Sequence, residues 1–145
     1  MYYYYQHQVS TVHYISEAKC QDRMKAAVLL YEECKKRGFL EKYFHEIEYR
    51  FTELYYAITL FSYMSGVKHP KLGFVKELRR GVMERFPDFE KNVYYQRETG
   101  EEEKALIAMQ GRSDVRFFGY YRLKLLVRRL RNASCEHKQN VDGTR

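Results

Sequence analysis

Between Ser16 and Gly38 the chain carries a complete helix signal, and this segment limits the fold more than any other. Ser16 is a good N-cap and Glu17 suits the positive end of a helix dipole, while Met24, Ala27, Val28, Tyr31 and Cys34 recur at helical spacing. Lys35-Lys36-Arg37 then place cations at the C-terminal end, and Gly38 readily takes the left-handed conformation that ends a helix. Only Gly38-Phe39-Leu40 separates this helix from the next periodic run, so the two are expected to pack as antiparallel neighbours. The second helix is expected from near Glu41 to Gly66, about 25 residues on its repeat, with Ile47, Phe51, Leu54, Tyr55, Ile58 and Phe61 on one stripe.

The remaining punctuation is also helical. His69-Pro70 opens a helix with Phe74, Leu78 and Val82 on its apolar face, closed by Phe86-Pro87. Asp88 is the expected cap of a short turn running to about Gln96. After the Thr99-Gly100 break, Glu101-Glu102-Glu103 put negative charge where a helix N-terminus favours it, leading into Ala105-Leu106-Ile107-Ala108-Met109 and a stop at Gly111. Ser113 or Asp114 caps a last helix, with Val115, Phe118, Tyr121 or Arg122, Leu125 and Leu126 on one face and arginines on the other flank. The expected fold is all-α, an irregular bundle of about five to six helices. Residues 1–15 form a short N-terminal extended segment, 16–131 one helical domain and 132–145 a polar, disordered tail.

The extended segment is Tyr2-Tyr3-Tyr4-Tyr5-Gln6-His7-Gln8-Val9, an aromatic strand that turns at Ser10-Thr11. A lone strand cannot satisfy its own backbone, so a partner must come from outside this chain, from a second copy, or from another segment of this chain that does not read as a strand. Self-association through the tyrosines is one expectation.

Composition narrows the function. No apolar run reaches the roughly 18 residues of a membrane span, and the first residues lack a secretory signal, so a cytoplasmic address is expected. Cys20, Cys34 and Cys135 have no CxxC spacing and are expected as free thiols. The eight glycines form no phosphate-binding loop, and no serine stands in a GxSxG elbow. His45-Glu46-Ile47-Glu48-Tyr49 approaches the HExxH zinc helix but has Tyr49 where the second histidine belongs, which leaves a solvated polar helix face as the better expectation. The acidic run at residues 101–103 fans round a helix, so it too is expected to serve helix-start electrostatics and not a cation.

The net charge of +7 is not evenly spread. Residues 1–111 hold 17 Lys and Arg against 16 Asp and Glu, whereas residues 112–131 hold seven basic residues against Asp114 alone. Arg116, Arg122, Lys124, Arg128, Arg129 and Arg131 therefore mark a cationic helix. Its apolar side either completes the core or meets a partner protein or an anionic membrane surface. Nucleic acid is disfavoured, because no RNP, KH or zinc-finger signature accompanies the charge.

Residues 2–13, Tyr-Tyr-Tyr-Tyr-Gln-His-Gln-Val-Ser-Thr-Val-His, resemble the stretch that closes the catalytic domain in many bacterial family 2 glycosyltransferases of surface-polysaccharide assembly. Asp22-Arg23-Met24-Lys25-Ala26, Glu32-Glu33-Cys34-Lys35-Lys36-Arg37-Gly38 and Ile47-Glu48-Tyr49-Arg50-Phe51 resemble the helical region that follows it. The resemblance implies a GT-A catalytic domain that binds a nucleotide-sugar and a divalent cation through an Asp-x-Asp motif. This chain has no Asp-x-Asp, so no catalytic residue is assigned in it and it is expected to be inactive without that domain. The resemblance also implies that His7 joins the metal site of the full enzyme. A place at the inner face of the membrane is the alternative to a free cytoplasmic address. Where the family commonly has arginine, this chain has Tyr5.

Overall fold

The computed structural model describes the backbone of residues 15–142 and the side chains of residues 15–133. The extended segment, with His7 and His13, lies outside them up to residue 14. The described chain is all-α and contains no strand. Its elements are α1 (Glu17–Lys36), α2 (Phe39–Lys42), α3 (Phe44–Phe51), a π-helical turn (Thr52–Ala57), α4 (Ile58–Gly66), α5 (Leu72–Arg85), a 3-10 turn (Phe89–Lys91), α6 (Val93–Glu98), α7 (Glu101–Arg112) and α8 (Asp114–Asp142).

Both ends of α1 close as their residues predict. The Ser16 side chain accepts from the Lys19 amide at 3.2 Å, and Gly38 has φ 73° with its amide donating to the Lys35 carbonyl. The helix pairs antiparallel with the long element that follows it. Tyr63, near the end of α4, donates to Glu17 at the start of α1, while Tyr31 meets Phe51 edge-on at 5.6 Å farther along.

α3, the π turn and α4 run as one helix whose inner stripe differs from the expected one. Glu48, Phe51, Thr52 and Tyr55 are buried as a regular repeat would have them, but Tyr56 at the end of the π turn is buried too, and beyond it the buried set is Thr59, Leu60, Tyr63 and Met64. Ile58 is exposed and Phe61 only half-buried. A π turn takes an extra residue per turn, so it rotates everything after it relative to a 3.6-residue repeat. The Thr59 hydroxyl donates to the Leu54 carbonyl inside the widened turn, at 2.8 Å.

The chain divides into two compact units, the first through Glu101 and the second from Glu102. The division follows the Thr99-Gly100 break. In the first unit, α1 and α5 pack on the π turn and α6 packs on α3. Its core is aromatic: Tyr63 stacks on Phe74 with centroids 4.1 Å apart, Phe51 stacks on Tyr55 at 4.8 Å, and Phe86 is ringed by Tyr31, Phe44 and Phe51 within 5.8 Å. Two glycines allow close approaches in this unit. A Cβ on Gly81 would lie 2.6 Å from the Tyr55 ring carbon Cζ, and one on Gly66 would lie 2.5 Å from the Ile15 Cβ. The chain before α1 is thereby seated against the end of α4.

In the second unit, Leu106, Ile107, Gln110 and Phe117 are buried. Ser113 caps α8 by accepting from the Arg116 amide, and Gln110 donates to Asp114 at 3.0 Å. α7 runs one residue past Gly111, to Arg112. α8 continues through Asp142, past Asn132 where the polar composition predicts a disordered tail.

Candidate functional site

Three regions could hold chemistry, and each follows from how the local sequence folds. The first is the HExxH-like segment on α3. The expected solvated polar face is corrected here, because Glu48 is only 5% exposed. Its carboxylate accepts from Asn92 Nδ2 at 2.6 Å, and the same Nδ2 donates to the His45 carbonyl at 2.8 Å. Asn92 Oδ1 in turn accepts from the amides of Tyr94 and Tyr95, which makes Asn92 the N-cap of α6. Both donors and both acceptor directions of one buried amide are therefore used, and α3 is fastened to α6. Asp88, the expected cap, instead pairs with Lys91 at 2.7 Å and makes no cap bond. His45 remains solvent-facing with Nδ1 3.9 Å from Glu48. Among the described residues, no group of three or more His, Cys, Asp or Glu converges.

The second region is the flank of α1. One groove of about 220 Å³ is lined by Ala27, Tyr31, Ile47, Phe51 and Leu54. A shallower one of about 480 Å³ is lined by Met24, Val28, Leu29, Tyr55 and Glu77. Cys20 and Cys34 are free thiols, Cys20 buried and raised in pKa chiefly by that burial. The exposed lining of both grooves is mostly apolar, with Glu46 and Arg50 beside the first and Gln21, Lys25 and Glu77 beside the second, which suits packing more than the orienting of a reacting atom.

The third region is α8. Arg116, Arg122, Arg128, Arg129 and Arg131 are all exposed, as the charge pattern predicts. Lys124 is half-buried and donates to Glu102 at the start of α7. That bond holds the Glu102 carboxyl below its ordinary pKa and raises the Lys124 ammonium above its own. One member of the acidic run therefore has a specific cationic partner in addition to its place at a helix start.

The apolar face expected for α8 is corrected in its register. The inward residues are Phe117, fully buried, with Phe118, Tyr121 and Leu125 half-buried. Val115 and Leu126, expected on that face, point to solvent together with Tyr120, Leu123, Val127 and Leu130. α8 therefore has two apolar arcs on opposite sides. Both are written in the sequence at helical spacing, and a search for a single core-facing stripe merges them. His7 lies outside the described residues.

Among known proteins, no family model, curated protein or solved structure matches the chain.

Proposed function

We propose that this chain is the C-terminal accessory helical domain of a family 2 glycosyltransferase acting in bacterial surface-polysaccharide synthesis, with the transfer chemistry supplied by a GT-A domain outside these 145 residues. The observation that carries the reading is the order of segments: the pattern resembling the end of a catalytic domain stops at His13, and α1 is capped at Ser16. Ile15, seated against Gly66, supports the reading, since an upstream domain would then join the helices through a packed residue. In this reading the nucleotide-sugar and the divalent cation bind upstream, with His7 completing the metal site there.

The test is the reading frame preceding Met1 in the source DNA, followed by reconstitution. A frame encoding an α/β unit with an Asp-x-Asp motif, whose product transfers sugar only when joined to this chain, is the expected result. An unrelated upstream frame with its own stop overturns the reading. A stand-alone module that binds a membrane surface is the second reading, favoured by the solvent-facing apolar arc of α8.

A further inference from the structure

We propose that the outward face of α8 lies on an anionic bilayer surface, with Leu123, Leu126 and Val127 at the acyl boundary and Arg122, Arg129 and Arg131 on lipid phosphates. The inference is independent of the glycosyltransferase reading; it deepens the membrane-surface reading and rests on the placement, exposure and charge of residues on α8. At about 100° per residue, Leu123, Leu126, Val127 and Leu130 fall within an arc of about 100° directly opposite Phe117, Tyr121 and Leu125. The packed side of the helix and this arc are therefore different surfaces. Leu123 is 59% exposed, Leu126 53% and Val127 45%, against 0% for Phe117. Gly119 opens the same face, since a Cβ built there would meet nothing within 4 Å.

Charge identifies the occupant. On the same wheel Arg122 and Arg129 line one edge of the arc and Arg131 lines the other. Long basic side chains at both edges of an apolar strip can bury their stems and reach up to phosphates, the arrangement of a helix lying in the interface plane. No described helix is long and apolar enough to cross a membrane, so the contact is with the surface.

A second copy of the chain fits this face poorly. Pairing two such arcs would bring arginine rims together, and between Val115 and Cys135 the sequence has no acidic residue to compensate. Nucleic acid would satisfy the arginines but leave the leucines in water.

The test is flotation of the full chain with vesicles of phosphatidylcholine alone or with roughly a third phosphatidylglycerol, at low and high salt. Binding is expected only with the anionic lipid. Removing three arginines (R122Q/R129Q/R131Q) should weaken it about a hundredfold, or roughly fivefold per charge. L123Q/L126Q should weaken it about tenfold or more while leaving helix content unchanged, since both positions are exposed and glutamine is a good helix former. Equal binding to neutral vesicles, or no binding to either kind, overturns the proposal. Binding that is lost with the arginines but indifferent to the leucines also overturns it, because the arc then plays no part. Lipid-free self-association abolished by L123Q/L126Q would give the face to a second copy. An RNA oligonucleotide bound with the same dependence on both sets would give it to nucleic acid.

Discussion

Replacing Asn92 by alanine should destabilise the first unit far more than its place in a short connection suggests. Asn92 is 2% exposed and serves two structures at once: Oδ1 caps α6, while Nδ2 holds the buried Glu48 carboxylate and the His45 carbonyl. Loss of the cap costs about 1 kcal/mol. Leaving a buried carboxylate without its donor adds about 1–3 kcal/mol, giving a total of about 2–4 kcal/mol. In urea unfolding followed by circular dichroism, with a slope of about 2 kcal/mol per M, the midpoint should fall by about 1–2 M. Glu48→Gln keeps an acceptor in place and should cost less than Asn92→Ala. Because the two side chains share one bond, Glu48→Ala combined with Asn92→Ala should be less damaging than the sum of the singles, with a coupling of about 1 kcal/mol or more. Additivity within about 0.5 kcal/mol would show that the 2.6 Å bond carries no net stability and would refute the latch.

Three further outcomes follow from the packing. Gly81→Ala should destabilise despite the roughly 1 kcal/mol gain in helix propensity. Its Cβ would press on the Tyr55 ring, which is held by its stack on Phe51, and overpacking of that kind costs about 1–3 kcal/mol; a rise in melting temperature would refute the close approach. Phe86→Ala empties the centre of the Tyr31, Phe44 and Phe51 cluster and should cost about 3–5 kcal/mol in the same unfolding assay, while a loss below about 1 kcal/mol would mean that the cluster is not a core. Burial raises the pKa of Tyr55, Tyr56 and Tyr63 above the ordinary 10.0. A group raised in the folded state contributes stability that is full below its unfolded pKa and is lost as pH rises through the folded value. The exposed tyrosines should therefore ionise near pH 10 with the helices intact, and the last phenolate absorbance should appear only at higher pH, together with loss of helix; titration of every tyrosine near pH 10 with intact helices would contradict the burial.

How far the sequence foretells this fold depends on how local the signal is. Caps and breakers act within a few residues, and Ser16, Gly38, Thr99-Gly100 and Ser113 delimit helices as their chemistry requires. The long second helix is legible in length but not in its inner stripe. The π turn at Thr52–Ala57 shifts the register, and nothing in a 3.6-residue repeat anticipates an extra residue. The role of Glu48 is hidden for another reason. Its partner Asn92 lies 44 residues away, and a carboxylate on a helix with several charged neighbours looks solvated until tertiary structure buries it. Asp88 and Asn92 are both good caps, so only the position of α3 decides between them.

The candidate surface on α8 shows the same limit from the other side. Charge was legible, because segregation of seven basic residues needs only counting. Direction was not, because Phe117, Phe118, Tyr121 and Leu125 form as good an apolar stripe as Leu123, Leu126, Val127 and Leu130, and periodicity alone cannot say which arc faces inward. The aromatic arc is the buried one, in keeping with the larger area that aromatic rings remove from water. Once that arc is buried, the aliphatic arc must face out, and the arginines that border it occupy its rim instead of an unrelated solvated flank. An exposed apolar strip is a liability in water, whereas one bordered by cations on both sides has a complement in a surface that is apolar below and anionic above. On the proposed bilayer contact, the charge asymmetry and the second stripe share one physical explanation, which neither has alone.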